Sequence, residues 1–289
     1  MDYVELEPPV TLRRHVQCLW RLQDPSPTRM AQTVYPDGRC EFIAHLGVPM
    51  RRYTLARGWQ MQQNCLFAAQ HRSAIRLAAD GPLDCIGVRL RAAAGAVIAG
   101  AQLAVIADEI VPMADLDAEF TIAYSAAARM LSADGDAAAL WRLLESRIGS
   151  KPIDTRIESA AAILDAASGQ RTIASLASEL RMSPRGLQTR FLAHVGLTPK
   201  ECARVQRLQA TIRQLDASPD PLAELAVDSG FSDQAHATRE LLRLTGLTPA
   251  RLRRALAAAR EGDETLLMAA AFVRGKSGDR VHLRMARLA

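Results

Sequence analysis

The stretches LASELRMSPRGLQTRFLAHVGLTP (176–199) and LAVDSGFSDQAHATRELLRLTGLTP (225–249) are two copies of one pattern and decide the fold of this chain. Leu-Ala opens each copy and Gly-Leu-Thr-Pro closes it. The offset between the copies is 49 residues before the central turn and 50 after it, so the second copy holds one extra residue in that turn. Two copies do not make a solenoid. The pattern predicts one structural unit that is used twice.

Each copy predicts a short helix, a tight polar turn and a second helix. In the first copy Ser183 can cap the free N–H groups of the second helix, and Pro184 occupies a first helical position, where a missing N–H costs nothing. Ser232 and Asp233 stand at this place in the second copy. The unit is therefore a helix-turn-helix, whose second helix lies in the DNA major groove and presents its N-terminal residues to base edges.

Candidate base readers lie on the outward face of each second helix. In the first copy Leu187 and Phe191 take the inward face. An outward Arg suits guanine and an outward Gln suits adenine. One such side chain alone is ordinarily solvated surface, but two repeats in a basic domain favour DNA. The outward residues are Arg185, Gln188 and Thr189 in the first copy, and Gln234, Ala235, His236, Thr238 and Arg239 in the second.

The excess of basic over acidic residues lies in the C-terminal half of the chain. The whole chain has a net charge of +5 and a pI of about 9.2. Residues 1–150 carry 15 basic against 16 acidic side chains, residues 151–260 carry 16 against 11, and residues 261–289 carry 5 against 4. A polyanionic partner explains this asymmetry, because Lys and Arg that neutralise phosphates release condensed counterions. A solvated, Arg-rich helical surface is the alternative.

The N-terminal half follows a different pattern. Residues 16–22 alternate with period two, a Pro-Asp-Gly turn stands at 36–38, and residues 85–90 again resemble a strand. Helical spacing follows over 116–148, with an interruption at 132–136. We therefore predict an α+β protein with two domains and separate cores: a β-rich domain with helices at 1–150 and an all-α domain at 151–260. Residues 261–289 form a tail that is either a hairpin or disordered.

The cysteine and histidine patterns predict neither a metal site nor a cofactor. The histidines show no HxH, HExxH or HxxxH spacing, and the odd number of cysteines, without a CxxC pair, predicts reduced, buried thiols. With 49% hydrophobic and 23% charged residues the composition is that of a globular protein. No apolar run approaches the roughly 18 residues of a membrane span, so we expect a cytoplasmic protein without a membrane partner. The cysteines are Cys18, Cys40, Cys65, Cys85 and Cys202.

The repeated region resembles the DNA-binding domain of AraC/XylS-type bacterial transcription regulators. The resemblance covers about 100 residues of this chain and includes GFSDQ at 230–234, His236, Arg239 and the two GLTP segments. It implies two helix-turn-helix subdomains joined by a long helix, about 199–215, that bind successive major-groove segments. It also implies that the outward residues named above, except Thr238, read bases. Arg190 and Arg204 complete the predicted DNA-binding set, with Arg204 on backbone phosphate.

Two departures from the family pattern carry expectations of their own. Thr189 stands where the family usually has Arg, so one base contact is expected to be missing from the first copy. Ala237 and Leu241 stand where Phe is usual, and they correspond to Leu187 and Phe191 within the repeat. We therefore expect looser packing beneath the second recognition helix.

The N-terminal half is similar, more weakly, to the sensor domain of one subgroup of the same family. VQCLWRL, YPDGRCEFI and ADEIVPMADL carry this similarity, which implies a cupin-like domain without naming its ligand. The candidate effector pocket consists of Trp20, Tyr35, Trp59 and Arg89. Core aromatic residues and a surface Arg are the alternative interpretation of these four.

Three functions are compatible with these observations. The leading one is a sequence-specific transcription regulator that binds double-stranded DNA and is modulated by a small-molecule effector, with RNA polymerase and a second copy of the chain as further candidate partners. The second is a cupin-like enzyme fused to a DNA-binding domain, with Cys40, His45 or His71 as the catalytic residue. The third is an architectural DNA binder without a ligand.

Overall fold

The computed structural model describes residues 1–27, 31–217 and 222–260. The predicted tail, 261–289, lies outside these residues. Within them no helix is both long enough and apolar enough to cross a bilayer. The α+β fold class is confirmed, with the strands in the N-terminal part and, among the described residues after 150, helices alone.

Two antiparallel sheets face each other in the N-terminal part. The larger sheet has the order β1-β2-β9-β4-β7-β10, and the smaller has the order β3-β8-β5-β6. The predicted alternation at 16–22 lies in β2, and the Pro-Asp-Gly turn separates β3 from β4. The strands are β1 (Asp2–Leu6), β2 (Val16–Asp24), β3 (Gln32–Val34), β4 (Glu41–His45), β5 (Arg51–Thr54), β6 (Gly58–Met61), β7 (Cys65–Ala68), β8 (Ile75–Ala78), β9 (Leu83–Leu90) and β10 (Ile110–Pro112).

Helices connect the sheets to the repeated units. The expected interruption at 132–136 is confirmed, because Gly135 ends α3 in the left-handed conformation, with φ of 74°. The helices are α1 (Ala96–Ala99), α2 (Met113–Leu116), α3 (Ala118–Asp134), α4 (Ala138–Leu144), α5 (Thr155–Ala166), α6 (Ile173–Glu179), α7 (Pro184–Val195), α8 (Pro199–Ala217), α9 (Leu222–Asp228), α10 (Gln234–Thr245) and α11 (Pro249–Arg260).

The two halves share one apolar core, so the expectation of separate cores is wrong. The largest buried cluster runs from the large sheet through α3 and α4 into α5, α6 and α7. Sequence periodicity identifies which face of a helix is apolar but not which element covers that face, and here the sheet side covers it. Representative members are Phe42, Phe67, Phe120, Tyr124, Ile157, Leu187 and Phe191.

The segment 35–39 (YPDGR), here called the docking segment, lies against α8. Gln209 donates a hydrogen bond of 2.7 Å from Nε2 to the carbonyl oxygen of Pro36. Arg39 donates one of 2.8 Å from Nη2 to Oδ2 of Asp165 on α5. Tyr35 packs in a second buried cluster with apolar residues of α8, α9, α10 and α11. The docking segment thus joins the β-rich part to the helices of the second repeat.

A second set of contacts holds the same helices against the loop before β8. Arg72 donates from Nε to Oε1 of Glu201, at the start of α8, over 2.7 Å. The backbone N–H of Ala74 donates to the carbonyl oxygen of Leu244 on α10, also over 2.7 Å. Both repeats are therefore in contact with the N-terminal part.

The extra residue of the second repeat is Ser232. Arg181 and Gly230 occupy equivalent left-handed positions, with φ of 52° and 73°, and Met182 and Phe231 follow them at the same offset of 49. The offset becomes 50 at the next helix start, so the inserted residue lies directly after Phe231. The two recognition helices begin and end in register despite it.

The glycines that close the two repeats have unequal surroundings. Gly196 ends α7 with φ of 83° and Gly246 ends α10 with φ of 74°, as left-handed helix ends favour. A Cβ on Gly196 would lie 3.1 Å from Cγ of Leu103 in the N-terminal part. A Cβ on Gly246 would meet no described atom within 4 Å.

We expect Gly169→Ala to lower the free energy of unfolding by roughly 2–5 kcal/mol in urea denaturation of the full chain. The residue has φ of 70°, and a Cβ there would lie 1.9 Å from the carbonyl oxygen of Ala203 on α8. Left-handed strain and overpacking therefore add. Gly135→Ala is the matched control, because its φ is similar but its surroundings are open, and it should lose only about 1–2 kcal/mol. Equal losses would contradict the clash.

Candidate nucleic-acid interface

The two recognition helices, α7 and α10, start at side-chain caps. Ser183 accepts a hydrogen bond of 3.0 Å at Oγ from the N–H of Gly186, and Pro184 is the first helical residue, both as predicted. Asp233 accepts one of 2.7 Å at Oδ1 from the N–H of His236. These caps leave the first turn of each helix ordered and its outward side chains open to a ligand in front of it.

Most of the predicted base readers are exposed in the N-terminal halves of these two helices. Thr238 and His236 are half-buried, and both are engaged within the second repeat. Thr238 donates from Oγ1 to the carbonyl oxygen of Gln234 over 2.9 Å. The ring of His236 packs edge-on against Phe231 and lies 3.1 Å from Oγ of Ser232. The exposed ones are Arg185, Gln188 and Thr189 on α7, and Gln234, Ala235 and Arg239 on α10.

Arg190 and Arg204 each face a carboxylate. Arg190 donates from Nη2 to Oδ2 of Asp154 over 2.5 Å, and Nε of Arg204 lies 3.6 Å from Oε2 of Glu240. Burial alone would raise the pKa of Asp154, but the hydrogen bond from Arg190 and the cap at the start of α5 hold it below its usual value. The sequence analysis missed Asp154, although its place directly before a helix is a capping signal.

The packing beneath the second recognition helix follows the predicted inward face. Ala237 and Leu241 are both fully buried. Ala237 belongs to a small cluster with Ala226 and Phe231. Since Phe231 stands where the first repeat has Met182, a larger ring lies opposite the smaller Ala237. The ring of Phe231 therefore fills part of the space that is left because Ala237 is smaller than Leu187, its counterpart in the first repeat.

A cavity of about 820 Å³, which includes the solvent at its mouth, lies between the two sheets. Trp20 and Tyr35 line it, as predicted, but Trp59 and Arg89 are not among its described lining residues. Trp59 instead packs against Tyr53 and lies beneath Arg51. Its strand, β6, is at the edge of the small sheet.

Arg89 is fully buried in an ion cluster next to the cavity. Its Nε lies 2.7 Å from Oε1 of Glu41 and 3.6 Å from Oδ2 of Asp37, and its Nη1 lies 3.1 Å from Oε1 of Glu5. The alternative interpretation of Arg89, a surface residue, is therefore wrong. Its burial follows from its position on β9, the third strand of the six-stranded sheet.

The enzyme hypothesis rests on Cys40, His45 and His71, and burial keeps all three uncharged at neutral pH. Burial raises the pKa of the Cys40 thiol to about 12, so it is not a thiolate at neutral pH. Burial lowers the pKa of both His45 and His71 to about 4, which leaves them neutral. His45 contacts Sγ of Cys85 through Nδ1 at 3.2 Å. Burial raises the pKa of that thiol to about 12 as well.

Two family models match the chain. One is described as a helix-turn-helix domain and matches residues 176–255. The other is described as a domain of unknown function (DUF6597) and matches residues 4–112. A search of curated proteins finds no match.

Solved structures with a similar arrangement include ToxT from Vibrio cholerae, which is 10% identical, with 82% of this chain and 98% of that chain covered and a TM-score of 0.45. A probable AraC family transcriptional regulator from Rhodopseudomonas palustris is 24% identical over 35% of this chain and 96% of that one, with a TM-score of 0.32. The C-terminal domain of AraT, a response regulator from Geobacillus stearothermophilus, is 20% identical over 35% and 85%, with a TM-score of 0.34.

We expect Ser183→Ala to lower the free energy of unfolding by about 1 kcal/mol, because the N–H of Gly186 loses its partner. The measurement is urea denaturation of the full chain. Ser178→Ala is the matched control, because Ser178 is exposed inside α6, where Ala favours the helix. A loss at Ser178 as large as that at Ser183 would show that the cap does not stabilise α7.

Proposed function

We propose that this chain is a DNA-binding transcription regulator of the AraC type, in which α7 and α10 bind two successive major-groove segments of one operator. The observation that carries the proposal is the equivalence of the two repeats. Both recognition helices begin at a capped residue and end at a left-handed glycine, with an offset of fifty residues, and both expose outward side chains in their N-terminal halves. One unit of this kind reads only a few base pairs, so two units in series lengthen the recognised sequence.

Arg185, Gln188, Gln234 and Arg239 are the proposed base-reading side chains. Each is exposed and has hydrogen-bond donors that suit a base edge. Thr189 and Ala235 have short side chains and are proposed to contact thymine methyl groups. His236 is proposed to position the turn, because its ring is held by Phe231 and Ser232.

Arg190 and Arg204 are proposed to contact backbone phosphates. Each is paired with a carboxylate in the absence of DNA, and their guanidinium groups stay more than a third exposed. Asp154 and Glu240 are only 7% and 16% exposed, so a phosphate that takes either guanidinium leaves a largely buried carboxylate without that partner. The charge-assisted hydrogen bonds to the phosphate have to offset this cost.

Residues 1–150 are proposed as the effector domain and 151–260 as the DNA-binding domain. The cavity between the sheets supports an effector site, since it is concave, largely apolar and edged by a few polar groups. The docking segment supports coupling, because Tyr35, Pro36, Asp37 and Arg39 line the cavity and the same segment holds α8 and α5. An effector that moves this wall changes how the helices of the second repeat are held.

RNA polymerase and a second copy of the chain remain the further proposed partners. Exposed apolar side chains on α3, Ile122 and Met130, offer surface for a second copy within the 116–148 helices. Two chains would suit an operator built of direct repeats.

We expect DNA affinity to fall about a thousandfold or more between roughly 50 and 200 mM salt, because six to ten phosphate contacts release as many counterions.

Arg239→Ala should cost roughly 1–3 kcal/mol on a sequence selected from random duplexes and relax preference at one base position. Arg204→Ala, the matched control, should weaken the selected and scrambled duplexes alike. Fluorescence anisotropy with the full chain measures all three.

Two results would contradict this proposal. Salt-insensitive binding would remove the phosphate contacts. Equal losses on selected and scrambled DNA for Arg239→Ala would remove that residue as a base reader. An architectural binder without sequence preference predicts the second result for every exposed residue of α7 and α10.

Gln209→Ala is expected to loosen the docking segment. The carbonyl oxygen of Pro36 would lose a donor that is itself almost fully buried, a change that costs roughly 1–3 kcal/mol. Hydrogen exchange should become faster at 35–45 and 205–212 and unchanged at 118–134. Gln188→Ala, an exposed Gln on α7, is the matched control. Unchanged exchange at 35–45 would show that the contact does not hold the segment.

A further inference from the structure

The charged residues that line the cavity are two carboxylates and one guanidinium. Asp37 and Arg39 belong to the docking segment, and Glu41 begins β4. The Glu41 side chain is 12% exposed and that of Asp37 is 17% exposed. Most of the remaining described lining is apolar, so a charge brought into this space by a ligand would be poorly solvated there.

The guanidinium of Arg39 is already engaged on all three nitrogens. Nε donates to Oε1 of Gln17 over 2.8 Å, Nη1 to the carbonyl oxygen of Gly38 over 3.1 Å, and Nη2 to Oδ2 of Asp165 over 2.8 Å. The two histidines of the lining, His45 and His71, are neutral for the reason given above. Among the described lining residues Arg39 is thus the one charged cation, and three of its five N–H groups are already donated within the protein.

The carboxylates, in contrast, outnumber the cation beside them. Arg89 is the guanidinium that Glu41, Asp37 and Glu5 share, over 2.7, 3.6 and 3.1 Å. One guanidinium therefore faces three carboxyl groups at a buried position. Burial raises the pKa of Glu41, Arg89 opposes that rise, and nearby Asp37 adds to it. Carboxylates this close to one another repel, and a further positive charge on the cavity side of Glu41 and Asp37 would relieve that repulsion.

Aromatic and polar groups complete the same end of the cavity. The indole of Trp20 acts against the rise that burial causes in the pKa of Glu41. Trp20 packs against Gly87 of β9, since a Cβ on that glycine would be 2.1 Å from the ring. Tyr35 is 4% exposed, and its buried hydroxyl has no hydrogen-bond partner among the described residues. Trp and Tyr faces attract cations, and a buried hydroxyl without a partner is a place for a polar ligand atom.

We propose that the effector of this regulator is an organic cation, an aryl- or alkyl-substituted amine, whose ammonium group binds between Glu41 and Asp37 beside Trp20 and Tyr35. Its apolar part contacts the side chains that line the rest of the cavity, among them Ile43, Leu77 and Met50. This inference rests on the proposed function, because it names the chemical class of the effector.

The lining disfavours the other ligand classes. An organic acid would place its carboxylate next to Glu41 and Asp37, and Arg39, which already pairs with Asp165, has only two further N–H groups to offer it. A neutral alcohol would gain the apolar contacts but leave the excess negative charge as it is. A bare metal ion needs several oxygen, nitrogen or sulfur ligands together, and the described residues hold no group of three or more His, Cys, Asp or Glu side chains that would supply them.

The test compares three matched series of probes on the full chain. The probes are ω-phenylalkyl amines, carboxylates and alcohols with two to five methylene groups, measured by isothermal titration calorimetry at pH 7. We expect at least one amine to bind, and to bind about tenfold or more tightly than the carboxylate and the alcohol of the same length. Tighter binding of a carboxylate or an alcohol, or no binding of any amine at 10 mM, overturns the inference.

Variants assign the binding to the two carboxylates. Asp37→Asn and Glu41→Gln should each weaken the best amine about tenfold and leave alcohol binding unchanged. Glu109→Gln, a carboxylate outside the lining, is the matched control and should change neither. If Glu41→Gln does not fold, Asp37→Asn decides alone. Unchanged amine binding in Asp37→Asn overturns the placement of the ammonium group.

DNA binding measured on the same preparation separates this inference from the proposed function. Sequence-specific DNA binding without amine binding contradicts only the class of effector. Loss of sequence-specific DNA binding in the unmodified chain contradicts the proposed function, whatever the cavity binds.

Discussion

The burial of Tyr35 on two sides is the constraint on which the rest of this molecule depends. The side chain lines the cavity between the sheets and also packs with the apolar residues that hold the second repeat together. The backbone on its C-terminal side is fixed by Gln206 and Gln209 of α8. Without this wall the cavity would be open on this side, and the second repeat would lose the contacts of Tyr35 and of the backbone that follows it.

The first repeat is also held against the N-terminal part, in its case by the shared apolar core. The apolar face of α7 packs into the cluster that begins in the large sheet, next to residues 92–94 and 103. Neither recognition helix is therefore a free module on a linker. Contacts made on the inner side of each repeat therefore orient its outer side, which carries the proposed base-reading residues.

The sequence predicted the local structure well and the long-range contacts poorly. The caps, the left-handed glycines and the inward face of each recognition helix all follow from residue types a few positions apart, and the structure has them. Arg39 and Asp165, in contrast, are 126 residues apart, and no periodicity in either segment predicts their hydrogen bond. The burial of Arg89 was unpredictable for the same reason. An Arg on a strand is expected at the surface, and its ion pairs come from carboxylates in two other segments of the chain.

The two Gly-Leu-Thr-Pro motifs have the same sequence, but their glycines differ in how closely other residues surround them. At Gly246 the backbone alone demands glycine, and Asn, which tolerates the left-handed conformation, satisfies the same demand. At Gly196 a Cβ would in addition require Leu103, 3.1 Å away, to shift by a few tenths of an ångström. The second motif can therefore accept Asn more readily than the first, where a substitution is expected to go together with a change at residue 103 in the N-terminal part. Substitutions at positions 103 and 196 should thus be coupled.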